Sequence, residues 1–477
     1  MKNKLSILFA SFLMLLLFSC KQDNESVSEI KRFTVLYTND EHGWLEPAKE
    51  TGGAPSLAAA WKNIEKTDEN VVIVSGGDMW TGPAISTWFR GISMVEVMNA
   101  LGYDIAALGN HDFDFSVDTL RYRVTHQMNF PIISANIVEK STGNVPDFVK
   151  PYVIKDFSGL KVAFIGLTTL STPYTTFPEN VKDYFFTPYA DAIDKYAPIV
   201  KKEGARVIIV VGHICEEEMV ELSATAKKYN IPLITGGHCH ERVNRVENGV
   251  TLVESGNDLY NYVKVVLEYT TDNDLCKVVS SEIIRNNDKT KDEQLVAIVE
   301  KWQTKTENAL SEEIGYCSQT IEQASVEMAN MVCDSWLKSF PEADISITNQ
   351  GGIRQDIPQG TITLKTIVGL LPFENSIVQI ELKGSELINC IDNYLIGGMT
   401  TVGGYKLSDG TPIEADKTYK VLTTDYLYSA DDEFKLYDNS PYNLSVNYRQ
   451  PLIDWIKSLN TNSGNPLNNY LDNIPRQ

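Results

Sequence analysis

The stretch FTVLYTNDEHG, residues 33–43, decides the fold. A run of β-branched and aromatic residues ends abruptly in Asp40 and His42, with Gly43 behind them. A strand that delivers polar, metal-type side chains at its carboxyl end belongs to an open α/β sheet, where ligands bind beyond the strand ends. Four more runs repeat the design. VVIVSGGD ends in Asp78, and IAALGNHDFD ends in Asn110, His111 and Asp114. VIIVVGH ends in His213, and IPLITGGHCH ends in His238 and His240. Five of the six histidines obey this pattern, so it is not a scatter of single residues; only His126 lies outside it.

The runs alternate with segments of helical pattern, for example residues 55–65 and 93–101. That alternation makes residues 33 to about 269 an α/β domain. A further strand is expected at residues 161–167, without a ligand. Residues 286–310 are charged, lack Gly and Pro, and read as a linker helix or as a peripheral helix of the first domain. A second domain follows from about residue 313. It opens with a helix at 326–339, a strand at 344–348 and the Gly-rich turn NQGGIR, 349–354. TITLKTIV, SIVQIELKG and YKVLTTDYLY then predict a β-rich portion, and residues 451–459 the last helix.

The ligand set has its own chemistry. Asp40 and His42 are two apart, so in an extended segment they point to the same side. Gly76-Gly77 lets the chain turn tightly ahead of Asp78, a carboxylate placed to bridge two ions. Asn110 offers a neutral amide oxygen, and His213, His238 and His240 complete a set for two divalent metals. Oxygen with imidazole suits hard to borderline ions such as Zn or Mn. Two ions about 3.5–4 Å apart can acidify a water and clamp a phosphoryl group. His111 adjoins Asn110 and can protonate a leaving oxygen or stabilise phosphate charge, with Asp114 accepting its other N–H.

Composition limits the partners. The 477 residues carry a formal net charge of −21, which argues against a nucleic-acid polymer, whose binding relies on Lys and Arg. A small phosphorylated substrate is not excluded, because bound cations reverse the local field. The first 19 residues read as a signal peptide: Lys2 and Lys4, then an apolar stretch to about Phe18. Leu17-Phe18-Ser19-Cys20 resembles a bacterial lipobox, so Cys20 is expected to be lipidated and to hold the protein on a membrane, with a polar tether over residues 20–30. Six cysteines remain. Cys215 and Cys239 each lie close to a proposed ligand and read as extra soft ligands or, more simply, as small buried residues.

With these blocks in place, the chain resembles the secreted 5′-nucleotidase family of calcineurin-like metallophosphoesterases. TNDEHG, SGGD, GNHDFD, GH and GHCH follow that family's blocks in order, and NQGGIR, LPFEN and TTDYLYSADDEF resemble its second-domain motifs. The resemblance implies a four-layer α/β/β/α sandwich over residues 31–285, a linker helix over 286–312 and a smaller α+β substrate-binding domain over 313–477. It implies Asp40, His42, Asp78 and His240 on one metal and Asp78, Asn110, His213 and His238 on the other. His111 and Asp114 become a catalytic pair. Asn349 and Arg354 become substrate contacts, and Phe373 and Phe434 would stack on a nucleobase. The expected reaction is hydrolysis of a nucleoside 5′-phosphate by metal-bound hydroxide. Cyclic nucleotides, nucleotide sugars and other phosphoesters are the alternatives, and a non-catalytic surface-binding protein is the rival of another class. Two departures bear on the pocket: residues 316–334 hold no Arg or Lys, and Ser429 to Glu433 stand where the family has mostly glycines.

Overall fold

The structure is a computed structural model that describes residues 29–48, 51–68 and 70–477. The lipobox and Cys20 lie outside the described residues.

Two six-stranded sheets stack face to face. The first runs, edge to edge, Leu275–Arg285, Asn261–Thr270, Ile30–Thr38, Val71–Ser75, Ile105–Ala107, Ile132–Ile133. Its last four strands are parallel, so all of them point their carboxyl ends the same way. The second sheet runs Arg242–Glu247, Val250–Ser255, Leu233–Thr235, Val207–His213, Leu160–Thr168, Tyr152–Phe157, with a parallel centre and antiparallel edges. Strand periodicity explains the stacking. Phe33, Val35 and Tyr37 alternate into the core between the sheets, against Phe164, Ile209 and Val211 of the second sheet. Leu36, on the other side of the same strand, meets Leu57 and Trp61 of the helix Gly53–Glu65. Helices Tyr189–Lys202 and Glu216–Lys228 cover the outer face of the second sheet. The expected α/β/β/α sandwich is therefore present.

The helix read at 286–310 begins later, at Glu293, and runs to Leu310. Asn286 is held in the preceding loop by its amide, which donates to Gly53 O and Leu259 O. The Asp292 carboxylate caps the helix by accepting the Leu295 N–H. Leu295, Val299 and Trp302 bury into the first domain's helical core.

The second domain is built on a five-stranded sheet, ordered Leu395–Gly397, Ile345–Thr348, Thr418–Thr424, Ser376–Lys383, Tyr442–Asn447. Helices Val326–Ser339 and Gln450–Leu459 form where the sequence places them. Two expected strands turn helical instead. TITLKTIV is a strand only to Thr363, which caps the helix Leu364–Leu370. YKVLTTDYLY is a strand only to Thr424, whose hydroxyl accepts the Leu427 N–H and starts the helix Asp425–Ala430. A threonine inside an apolar run serves as well for a helix N-cap as for a strand, and here the cap wins. Val368 of the first of these helices packs on Ala84 and Leu310, joining the two domains.

Candidate metal centre and substrate pocket

The strand ends of both sheets meet at one edge and bring the predicted ligands together. Asp40, His42 and His240 form one group, and Asp78, His213 and His238 a second; within each, the ligand atoms all lie within 4.8 Å of one another. Asp78 Oδ2 is 3.1 Å from His213 Nε2, and Asn110 Oδ1 is also 3.1 Å from it. The backbone is bent to make this possible. Asp40, His42, Asp78, His238 and His240 all have positive φ, from 44° to 77°. Such conformations cost of order 1–3 kcal/mol each for residues other than glycine and persist only when surrounding contacts impose them. Gly109 shows how tight the approach is: a Cβ there would stand 2.1 Å from Asp78 Oδ1.

The donors and acceptors around the centre are suited to cations. His42 Nδ1 lies 3.0 Å from Thr81 O and His213 Nδ1 lies 2.9 Å from Gly76 O. A carbonyl only accepts, so both rings donate from Nδ1 and turn Nε2 toward the centre. Around His213 Nε2 the neighbours are carboxylate and amide oxygens, whose lone pairs are met either by a proton on Nε2 or by a cation in its place. Asp40 Oδ1 is buried with no hydrogen-bond partner and sits 3.4 Å from His240 Nε2 and 3.7 Å from His42 Nε2. Burial opposes charging His213, yet Asp78 and Asp40 push its pKa up to about 10. Burial would raise Asp40, yet His213 and His240 hold it down at about 2. Converging lone pairs around a buried, partnerless carboxylate oxygen call for positive charge, and the residues present fit two divalent cations.

His111 stands beside this centre. Its backbone N–H donates to Asp78 Oδ1 at 2.7 Å, and its Nδ1 meets Asp114 Oδ2 at 2.9 Å. Asp114 Oδ1 is in turn fixed by the Thr176 hydroxyl. Burial works against a charged imidazole, but Asp114 and Asp78 raise the pKa of His111 above its ordinary value. The second domain reaches in from the other side. Arg354 Nη2 comes within 3.4 Å of His42 Nε2, and the Phe373 ring lies 5.6 Å from the His111 ring, tilted by 28°. Between the domains is a cavity of about 470 Å³, lined by Asp78, Asn110, His111, Asp114, Asn349, Arg354 and Phe373 among others.

Phe434 is not there. It is fully buried in the second domain's core, 6.0 Å from the Tyr394 ring, and does not line the cavity. The helix Asp432–Tyr437, capped by the Asp431 carboxylate, carries Phe434 into the core, while the helix begun by Thr424 offers Tyr426 to the cavity. Tyr426 donates its hydroxyl across the domain boundary to Tyr174 O at 2.9 Å. Cys215 and Cys239 also depart from both expectations, since they form a disulfide. Other residues passed over by the sequence reading support the centre. Asp112 accepts the backbone N–H groups of Asp78, Met79 and Gly109, so one carboxylate ties two ligand loops. It lies inside the GNHDFD block, where its position was visible but its partners were not. Ser171 Oγ stands 3.0 Å from His238 Nε2 and fixes that ring.

A two-sheet sandwich with paired ligand groups at its edge is the architecture of a metal-dependent phosphoesterase. Residues 33–242 match the calcineurin-like phosphoesterase family, and residues 303–407 match the 5′-nucleotidase C-terminal domain. The chain thus carries a calcineurin-like phosphoesterase domain followed by a 5′-nucleotidase C-terminal domain. It is 28% identical to endonuclease YhcR of Bacillus subtilis (strain 168) over 83% of its own length but only 37% of that protein's. Over 84% of each chain it is 26% identical to the 5′-nucleotidase of Bos taurus. The crystal structure of a 5′-nucleotidase precursor from Thermus thermophilus shares the fold, with a TM-score of 0.78 and 20% identity over 94% of this chain and 99% of that one.

Proposed function

We propose that the protein is an exported, lipid-anchored phosphoesterase that hydrolyses nucleoside 5′-phosphates with the help of two divalent metal ions. One observation carries the reading: a single cavity is bordered by members of both ligand groups (His240 of one, Asp78 and His238 of the other), by the His111–Asp114 pair and by Arg354 with Asn349. Asp40, His42, Asp78 and His240 would hold one ion, and Asp78, Asn110, His213 and His238 the other. The ions would supply Lewis-acid activation of water and neutralise phosphate charge.

The chain's own residues do the rest. Arg354 presents a fork of donors to phosphate oxygens and orients the ester over the centre. His111 gives a proton from Nε2 to the departing ester oxygen, while Asp114 holds the ring and favours its charged form. Asn349 orients the substrate from the second domain, and Phe373 supplies one flat apolar face. Tyr426, on the helix Asp425–Ala430, is the other domain-two aromatic at the cavity. The apolar leader ending at Cys20 supports export and anchoring.

A second reading, a phosphoester other than a nucleoside monophosphate, is favoured by the burial of Phe434, which removes one of two expected stacking faces. A non-catalytic binder needs neither His111 nor Asp114, so their hydrogen bond weighs against that class. The test is hydrolysis, read by chromatography of the products, of nucleoside monophosphates, cyclic nucleotides, nucleotide sugars and simple phosphoesters with Mn, Zn and Co. Turnover of the other esters but not of nucleoside monophosphates would replace the first reading by the second. No hydrolysis of any of them would remove both.

A further inference from the structure

We infer that the Cys215–Cys239 disulfide is a positioning element of the metal centre, holding the His238–His240 turn in place against the His213 loop, so that opening it weakens metal binding. The inference rests on the two-metal reading above. Cys215 follows His213 by two residues, and Cys239 sits between His238 and His240. One bond therefore joins loops that supply three of the seven candidate ligands, from both groups. Its two Cα atoms are 5.3 Å apart, so the loops are clamped side by side.

The turn needs such a clamp. His238 and His240 both hold left-handed backbone, with φ of 77° and 58° on either side of Cys239. Non-covalent support comes from Gly237 N–H to Ile214 O, His238 N–H to Asp40 Oδ2 and Glu241 N–H to Glu254 Oε1. Two of these three end on buried carboxylates near the metal centre. His240 is the more open ligand, with about a third of its side chain exposed, and has least packing to hold it. The Cys215 end is anchored differently: its backbone N–H donates to Glu218, which also accepts the Tyr189 hydroxyl. The disulfide thus transfers a firm helix start onto a strained turn.

The bond is also reachable. Cys239 is exposed and Cys215 is half-buried, whereas the four free cysteines among the described residues are buried. A dithiol reductant can open it in two steps. One thiolate attacks Cys239 Sγ, releasing the Cys215 thiolate and leaving a mixed disulfide. The second thiol then displaces Cys239. Two electrons and two protons pass to the protein, and the reductant leaves as its own disulfide.

The test compares three forms of the full chain, each stripped of metal and titrated with Mn. They are the untreated protein, the protein reduced with dithiothreitol, alkylated and desalted, and the Cys215→Ser/Cys239→Ser variant. Opened forms should bind Mn about 10–100-fold more weakly, the range for losing a group that orients a ligand. Excess Mn should restore turnover, so the loss appears in the metal dependence and not in kcat. Unchanged Mn affinity with a lower melting temperature would make the bond a general staple and overturn the proposal alone. Failure of the untreated protein to bind Mn would overturn it together with the two-metal reading. If the variant does not fold, the alkylated protein supplies the same comparison.

Discussion

Asp78 and His111 lie side by side but serve different ends, and substitution separates them. Asp78 faces His213 with one oxygen and takes the His111 N–H on the other. On the proposed reading Asp78 would be shared by both ions, so Asp78→Asn should make both bound metal and phosphate release fall steeply. Full activity in that variant, or in chelator-treated protein, would refute the two-metal assignment. His111→Gln should instead leave both metals in place and lower kcat about 10²–10⁴-fold, the usual worth of a positioned acid or base. Metal analysis beside kinetics distinguishes the two; joint loss of metal and activity would make His111 a ligand. The aromatic residues give a third contrast. Tyr426→Ala should raise KM for a nucleotide and leave a simple aryl phosphate little changed, because only the former extends away from the centre. Phe434→Ala should act on stability, costing about 3–5 kcal/mol as a buried Phe truncation does. A nucleotide-specific KM effect from Phe434 and none from Tyr426 would restore the sequence-based assignment.

At the level of strands and loops, the gathering of the candidate ligands was legible in the sequence and the aromatic lining of the pocket was not, for physical reasons. A candidate ligand at a strand end announces itself twice, by residue type and by the apolar run before it, so Asp40, Asp78, Asn110 and His213 could be read one by one. The stacking residues had no such second signal. Phe434 is apolar and belongs equally to a pocket wall or a core, and the short helix Asp432–Tyr437, capped by Asp431, puts it in the core. The disulfide joins cysteines 24 residues apart and depends on how two loops lie in space, which spacing alone does not reveal. Asp112 was hidden by its role, since it binds only backbone. Its loss should be felt as structure: Asp112→Ala leaves three N–H groups of two ligand loops without their acceptor, at about 1–3 kcal/mol for each buried one. Thermal melting of the metal-free protein would register this, and an unchanged melting point would deny the stitching role.

On the scale of the whole molecule, the site belongs to neither domain. The first supplies the candidate metal ligands, and the second supplies Arg354, Asn349, Phe373 and Tyr426 from across the cavity. The domains touch through Val368 on Ala84 and Leu310, and through the Tyr426 hydroxyl on Tyr174 O. Among the described residues no helix is long and apolar enough to cross a membrane. On the lipoprotein reading, the lipid at Cys20 is the membrane attachment. Cys20→Ala should shift the protein from the membrane fraction to the soluble one, and unchanged sedimentation with membranes would end that reading.

The contact between Phe373 and His111 has a kinetic meaning. The side chain assigned to feel the remote part of the substrate rests 5.6 Å from the ring assigned to deliver the proton. Recognition and proton delivery are then mechanically joined. A substrate that sits badly against Phe373 would disturb the alignment of the acid as well as its own grip. Discrimination among phosphoesters would thus be written mainly into turnover, and a poor substrate could saturate the enzyme and still react slowly.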